Sequence, residues 1–325
     1  MVIYHSGYLT GHDRLTPGTL AGVAVGGFFV ISGFLLTWSL ARNPSLKAFA
    51  LKRFFRIYPL YAVVILLQAA ILTAEAGTLG NGIAGELARY LAANLVFANF
   101  LQPTIGGTLA GLRVDAINGS AWTLKVEIAC YIALPWVLAM QRRLGVVWTA
   151  ALALLLAAYP LLVRGAGEPR GVVYLSLASF FFTGSLLYVW GHHLDRYRAL
   201  FLPVAVAGAP IVLAGSPWLM PVPIVAQIVV GLWVYCVAFA GRTIVIENDV
   251  SYGAYLLHFP IIQLGLVHGL LVGSWLTIAP KVLLATTALA WLSFRYLERP
   301  MINLGHRLSR EMTAPSNDAR FTRKP

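Results

Sequence analysis

Apolar runs of bilayer length return along almost the whole of this chain, separated by short polar loops. A spanning helix needs about 20 predominantly apolar residues. Runs at 20–40, 57–73, 122–140, 146–163, 172–190, 200–214, 223–240, 252–271 and 278–294 meet or approach that length. Inside lipid every backbone N–H and C=O must be satisfied by the chain itself, and for isolated runs of this size that means helices. The expected fold class is therefore all-α: a polytopic integral membrane helix bundle. Composition agrees, since 59% of the 325 residues are hydrophobic and only 11% charged, more apolar surface than a soluble core of this size needs.

The loops orient the spans. Residues 41–56, 141–143, 192–198, 241–250 and the tail from 295 hold 17 of the 24 Lys and Arg, which places them on the cytoplasmic side. That orientation requires the apolar stretch 90–101, inside a long external region at 75–119, not to cross; it is too short to span and reads as re-entrant or interfacial. The net charge of +12 is not a nucleic-acid footprint, because the basic residues sit in short loops and the tail rather than along one face. Cys130 and Cys236 fall in apolar runs and read as buried thiols. His192 and His193 have no further ligands near them in sequence, so no metal site is indicated. Residues 1–7 lack the basic and long apolar regions of a cleavable signal peptide. The chain divides into a transmembrane domain, 1–300, and a basic cytoplasmic tail, 301–325, expected to be disordered.

His5 closes the apolar stretch Met1-Val2-Ile3-Tyr4. The stretch reads as the last turns of a membrane helix that begins midway, bringing the expected spans to ten with the first truncated. On this reading an upstream start would add roughly 15 residues. An ionisable residue in a membrane segment is a functional candidate by default; the alternative is an interfacial histidine without a role. Four further stretches carry chemistry. Phe28-Phe29-Val30-Ile31-Ser32-Gly33-Phe34 has a small pair that permits close helix approach. In Arg53-Phe54-Phe55-Arg56-Ile57-Tyr58-Pro59 the two arginines share a helix face, either to bind an anion or to snorkel as an anchor. Trp122-Thr123-Leu124-Lys125-Val126-Glu127, followed by Tyr131, puts a carboxylate about 8 Å into a span, where it needs a partner. Ser251-Tyr252-Gly253-Ala254-Tyr255-Leu256-Leu257-His258-Phe259-Pro260 puts a second histidine well inside another.

Together with Tyr296-Leu297-Glu298-Arg299-Pro300, and in this order, these stretches resemble the membrane acyltransferase-3 family across almost the whole chain. The resemblance implies a ten-helix fold in the cytoplasmic membrane. Such a protein takes an acyl group, commonly acetyl, from acyl-CoA and passes it to a hydroxyl of a glycan or glycolipid. Two positions depart from the pattern. The family's basic residue upstream of the first histidine has no counterpart, and Gly26 stands where many members carry Asp or Gln. On chemistry, His5 is the expected general base, with His258 as competitor or orienter. Arg53 and Arg56 are expected at the CoA phosphates. Glu127 orients or binds the acceptor, with Tyr131 one turn on and sharing its face. Trp122 stacks on a sugar or belongs to the aromatic belt, and Ser32 stands in a supporting position. Glu298 and Arg299 are expected to form a structural ion pair. The competing reading is a transporter or flippase for a lipid-linked sugar, in which the buried ionisable groups relay protons.

Overall fold

A computed structural model of the chain describes residues 1–15, 18–77, 82–162, 169–213, 223–236 and 248–313. Every regular element among them is helical: α1 (Val2–Leu9), α2 (Gly18–Arg42), α3 (Leu46–Glu75), α4 (Ile83–Asn94), α5 (Trp122–Leu144), α6 (Val146–Leu162), α7 (Pro169–Leu194), α8 (Arg198–Leu213), α9 (Pro223–Val234), α10 (Ser251–Val267), α11 (Trp275–Ser293) and α12 (Arg299–Thr313). Among the described residues five stretches are long and apolar enough to cross a membrane: Leu20–Arg42, Leu46–Glu75, Trp122–Leu144, Val173–Gly191 and Trp275–Met312. Val146–Tyr159, Ala199–Pro210 and Ser251–Val267 are apolar but shorter. Parts of the expected runs at 146–163, 200–214 and 223–240 lie outside the described residues.

The tightest helix pair is α2 against α7. A Cβ on Gly33 would fall 1.8 Å from the Phe181 carbonyl oxygen, and one on Gly184 1.9 Å from that of Val30. Two backbones therefore touch where only glycine fits, which is how helices associate when lipid removes the hydrophobic drive between them. Thr37 extends the seam by donating to Ser185 Oγ at 2.8 Å. Phe29, Val30, Leu36 and Phe181 fill the core around it. Gly33 makes the contact, while its neighbour Ser32 is only half-buried.

Two elements differ from expectation. The basic stretch 41–56 is not a loop. Only residues 43–45 are non-helical; Ser45 then caps α3 by accepting from the Ala48 N–H at 3.3 Å. Lys47, Lys52, Arg53 and Arg56 accordingly stand on α3 itself. At the other end of the chain, residues 301–313 are ordered as part of α12, which lies along α3, rather than disordered. Met301, Leu304 and Leu308 fall at helical spacing and give this basic segment an apolar face; the charge count alone concealed it. Residues 314–325 lie outside the described residues.

Between α3 and α5 the described residues hold one helix, α4, which is too short to count among the spanning stretches. α4 runs back down α3, with Tyr90 Oη donating to Gln68 Oε1 at 2.9 Å and Tyr61 Oη to the Asn94 carbonyl at 2.6 Å. An irregular stretch then returns to α5. Side chains satisfy its backbone, as a buried non-helical segment requires. Asn94 donates to the Gln102 carbonyl at 2.8 Å and Gln263 to those of Val114 and Ala116 at 2.6 and 2.8 Å; in return Asn118 of the stretch donates to the Leu256 carbonyl of α10 at 2.9 Å. Arg113, from the same stretch, holds the end of α1 through the Tyr8 carbonyl at 2.7 Å and Asp13 at 3.2 Å. Its hydrogen bond keeps the Asp13 carboxyl below its ordinary range. This clamp is complete at neutral pH and is lost as acid protonates Asp13.

The glycine seam yields a stability test. Gly33→Ala forces α2 away from α7 and should cost at least the roughly 1–3 kcal/mol of an overpacked core, read as a lower unfolding temperature in detergent. Gly85→Ala, in α4 with open space at its Cβ, should instead stabilise by about 0.5–1 kcal/mol through helix propensity. Equal effects from the two would mean that the α2–α7 contact does not limit stability.

Candidate active site

The two histidines, expected as base and as competitor or orienter, are hydrogen-bond partners. His5 Nδ1 lies 2.7 Å from His258 Nε2, and the rings stack with centroids 5.0 Å apart. Both side chains are buried. His258 Nδ1 is 3.0 Å from the Ala254 carbonyl. A carbonyl only accepts, so His258 Nδ1 carries the hydrogen and Nε2 is left as an acceptor. His5 must then donate from Nδ1, and its Nε2 is the nitrogen with a lone pair to offer. A chain of two hydrogen bonds thus fixes both tautomers. Phe259 packs edge-on to His5 at 5.1 Å.

Glu127 is buried on α5 and accepts a hydrogen bond from the Tyr131 hydroxyl. It lines a cavity of about 190 Å³ with Thr123, Tyr255 and Val2. Tyr255 also hydrogen-bonds Thr123 and the Ser120 carbonyl. Each histidine stands three residues beyond a residue in this wall, His5 after Val2 and His258 after Tyr255. The dyad is therefore about one helical turn from the cavity, with no hydrogen bond joining it directly to Glu127. On the far side of Tyr131 is a larger, mostly apolar groove between α3 and α5, about 400 Å³, lined by Phe49, Arg53, Tyr58, Tyr131 and Trp136. Arg53 Nε is buried there without a hydrogen-bond partner.

Arg56 goes elsewhere. Its Nη1 is 3.1 Å from Glu298 and its Nη2 2.5 Å from Asp249, and the guanidinium covers the Tyr252 ring at 5.7 Å. The expected Glu298–Arg299 pair is not formed. A π-helical turn at Phe294–Glu298 links α11 to α12 and turns Glu298 inward, while Arg299 is exposed. Glu298 is further held by Ser293 Oγ at 2.9 Å. The two arginines of one motif thus part: Arg56 ties α3 to α10 and the π turn, and Arg53 faces the groove.

Trp122 borders a third space, about 130 Å³, with Asn94, Asn99, Phe100 and Asn118. Asn99 Oδ1 is buried without a partner there. Tyr174 lies 5.6 Å from the Trp122 ring, and Lys125 sits over Phe100 and Tyr174 at 4.6 and 4.5 Å. Ser32 joins none of these sites by any hydrogen bond among the described residues.

Residues 1–295 match the family described as an acyltransferase domain. The chain belongs to acyltransferase family 3. Nodulation protein 10 of Rhizobium leguminosarum bv. viciae is 29% identical to it over 312 residues, covering 87% of this chain and 82% of that protein. Acyltransferase MdmB of Streptomyces mycarofaciens is 31% identical over 134 residues, 39% of this chain and 31% of that protein. The O-acetyl transferase of Shigella phage Sf6 is 32% identical over 128 residues, 38% and 35% respectively. No solved structure matches.

This family 3 acyltransferase is an integral membrane O-acyltransferase, and several groups at its site escaped the sequence reading. Tyr255 was visible in principle, since Tyr252, Tyr255 and His258 recur every three residues on an otherwise apolar helix and so share a face. The asparagines at 94, 99 and 118 were visible as amides in an apolar stretch. Asp249 gave no signal beyond its charge, because its partner is far away in sequence.

The Arg56 node separates a buried arm from an exposed one. The Glu298 side chain is 1% exposed and that of Asp249 43%. Glu298→Ala strips a buried partner from a cation and should cost about 3–5 kcal/mol. Asp249→Ala should cost about 0–1 kcal/mol. Denaturant unfolding of the two variants in detergent decides; similar losses would show that the exposed arm holds the helices equally.

Proposed function

We propose that the enzyme moves an acyl group, acetyl in the first instance, from acyl-CoA to a hydroxyl of a glycan or glycolipid, and that His5 is the general base. The observation that carries this reading is the hydrogen-bonded chain from Ala254 through His258 to His5, which leaves His5 Nε2 as an oriented acceptor. The acceptor hydroxyl gives its proton to that nitrogen as its oxygen attacks the thioester carbonyl. The new C–O bond forms, the C–S bond breaks, and the CoA sulfur leaves with the proton returned from the His5 imidazolium. Positioned proton transfer of this kind contributes about 10²–10⁴ in rate.

The remaining groups divide by location. Arg53, in an apolar groove with its Nε unpaired, receives the donor. Arg56, with both terminal nitrogens engaged, is a positioning residue for α10. Glu127 and Tyr131 stand between the groove and the smaller cavity and orient the acceptor. Trp122 and Asn99 offer an aromatic face and a free amide oxygen, a pairing suited to a sugar ring. The bundle has ten spans and lies in the cytoplasmic membrane, with the basic ends of α3 and α12 and the C-terminal tail on the cytoplasmic side, where acyl-CoA arrives. The names of two relatives, an acyltransferase and an O-acetyl transferase, support transfer of this class.

His5→Ala should lower kcat by about 10²–10⁴ with normal insertion. His258→Leu should fall almost as far, because His5 Nδ1 loses its acceptor. His258→Gln should retain part of the activity, since its carbonyl oxygen can take that hydrogen bond. The assay follows label from radiolabelled acetyl-CoA into a lipid-linked glycan in proteoliposomes. Near-normal transfer by His5→Ala would remove the base from this position.

A further inference from the structure

The first turn of α5 carries a cation for which the mechanism above has no task. Lys125 is half-buried, one turn on from Trp122. Its ammonium lies over the Phe100 ring at 4.6 Å and the Tyr174 ring at 4.5 Å. Both rings lead to the space of about 130 Å³: Phe100 lines it, and Tyr174 packs 5.6 Å from Trp122, which lines it too. Ring faces attract a cation but give its three N–H donors no lone pair in return. Among the described residues no carboxylate lies within ion-pair distance of Lys125 and no hydrogen bond reaches its ammonium. On the proposed orientation this end of α5 faces away from the cytoplasm, where a lysine is least expected as a plain anchor.

The same space presents an acceptor that cannot turn into a donor. Tyr61 Oη gives its hydrogen to the Asn94 carbonyl, and Asn94 Nδ2 gives both of its own to the Tyr90 and Gln102 carbonyls. Tyr61 Oη and Asn94 Oδ1 are then left as acceptors, and Asn99 Nδ2 donates to them at 2.9 and 2.7 Å. Turning the Asn99 amide over would break both bonds, so its Oδ1 stays buried without a partner. A buried carbonyl oxygen without a donor is costly, and a hydroxyl in the space supplies one. The space also abuts the histidine pair. Gly119 lines it, and a Cβ there would fall 2.5 Å from Phe259 Cζ; Phe259 packs on His5 at 5.1 Å. A ring seated in the space stands one phenyl ring away from the proposed base.

We infer that this space is a subsite for an acidic sugar of the acceptor, in which a sugar hydroxyl donates to Asn99 Oδ1 and an anionic substituent, carboxylate or phosphate, accepts from Lys125. The inference rests on the glycan-acceptor reading above and names the class of glycan: one that carries negative charge close to the hydroxyl that is acylated. A neutral sugar would satisfy Asn99 and leave the Lys125 ammonium as it is, so the charge is what Lys125 selects. Lys125 and Asn99 touch no reacting atom; they choose and orient the acceptor.

The test titrates soluble sugars against the full chain in phosphatidylcholine nanodiscs by saturation-transfer NMR. Methyl glucuronide, glucose 6-phosphate, methyl glucoside and inorganic phosphate are compared on wild type, Lys125→Met, Lys125→Arg and Asn99→Ala. Wild type should bind methyl glucuronide or glucose 6-phosphate about tenfold or more tightly than methyl glucoside, the effect of one charge-assisted hydrogen bond. Which of the two binds decides between carboxylate and phosphate. Lys125→Met should abolish the preference and bind methyl glucoside as wild type does, a split that general instability does not produce. Lys125→Arg should keep most of the preference, and Asn99→Ala should weaken acidic and neutral sugars alike. Equal binding of acidic and neutral sugars by wild type, binding of none of them, or a preference that survives Lys125→Met overturns the proposal. Inorganic phosphate bound as tightly as glucose 6-phosphate also overturns it, since the space would then read an anion without a sugar. A preference that disappears in discs containing phosphatidylglycerol overturns it too, and assigns Lys125 to a lipid headgroup. The acyl-transfer reading fails separately: it is defeated when wild type passes no label from acetyl-CoA to any glycan, whatever the sugars do.

Discussion

The site depends on one cation. Arg56 reaches from α3 to Glu298 at the π turn and to Asp249 just ahead of α10. Three stretches that are remote in sequence meet on its two terminal nitrogens. Asp249 also accepts from the Ser251 backbone N–H at 3.2 Å, so the same carboxylate starts α10 and anchors it. Tyr252, one residue into the helix's first turn, adds a hydrogen bond to the Ile57 carbonyl at 2.9 Å. The depth and rotation of α10 are thus fixed at its base by charge and hydrogen bonding, because in an apolar bundle packing alone discriminates poorly between helix registers.

Once α10 is fixed, its length places everything else. Tyr255 is one turn above Tyr252 and closes against Ser120 and Thr123. Asn118 holds the Leu256 carbonyl, and Gln263 holds the irregular stretch higher up. Between these contacts stands His258, whose ring is tethered to its own helix at Ala254 and can reach His5 only if α1 lies alongside. The dyad is the last consequence of a chain of polar contacts that begins at Arg56. Each of those contacts is costly to leave unmade in a dry interior, which gives the arrangement its specificity.

The sequence showed what local composition can show. Apolar length announced the membrane helices, and a histidine or carboxylate in an apolar run announced a site, because neither belongs there without a purpose. The Glu127–Tyr131 contact followed from helical spacing. Pairing across the fold did not. His5 and His258 are 253 positions apart, and nothing in either neighbourhood decides whether they meet or compete. Glu298 was assigned to the adjacent Arg299 because adjacency was the only proximity on view; the π turn, which no composition rule signals, rotates it to Arg56 instead. The tail from residue 301 reads as disordered because it is basic and follows the last apolar run, yet Met301, Leu304 and Leu308 share one face of α12.

The division of labour along α5 bears on how a reaction could link a donor and an acceptor that enter by separate routes. Trp122 borders the amide-lined space, Thr123 and Glu127 line the central cavity, and Tyr131 lines the groove beside Arg53. Trp122 and Tyr131 stand nine steps apart on one helix, about 13.5 Å of rise. On the proposed reading the arm of the thioester covers the distance, and the reacting carbonyl and the acceptor hydroxyl meet near the Tyr131–Glu127 pair. A transporter for the whole glycan would need a continuous polar path through the bundle. Here the spaces among the described residues are small, lie on either side of a hydrogen-bonded pair, and differ in chemistry from one end of α5 to the other, which suits two substrates that enter from different ends and meet only at their reacting groups.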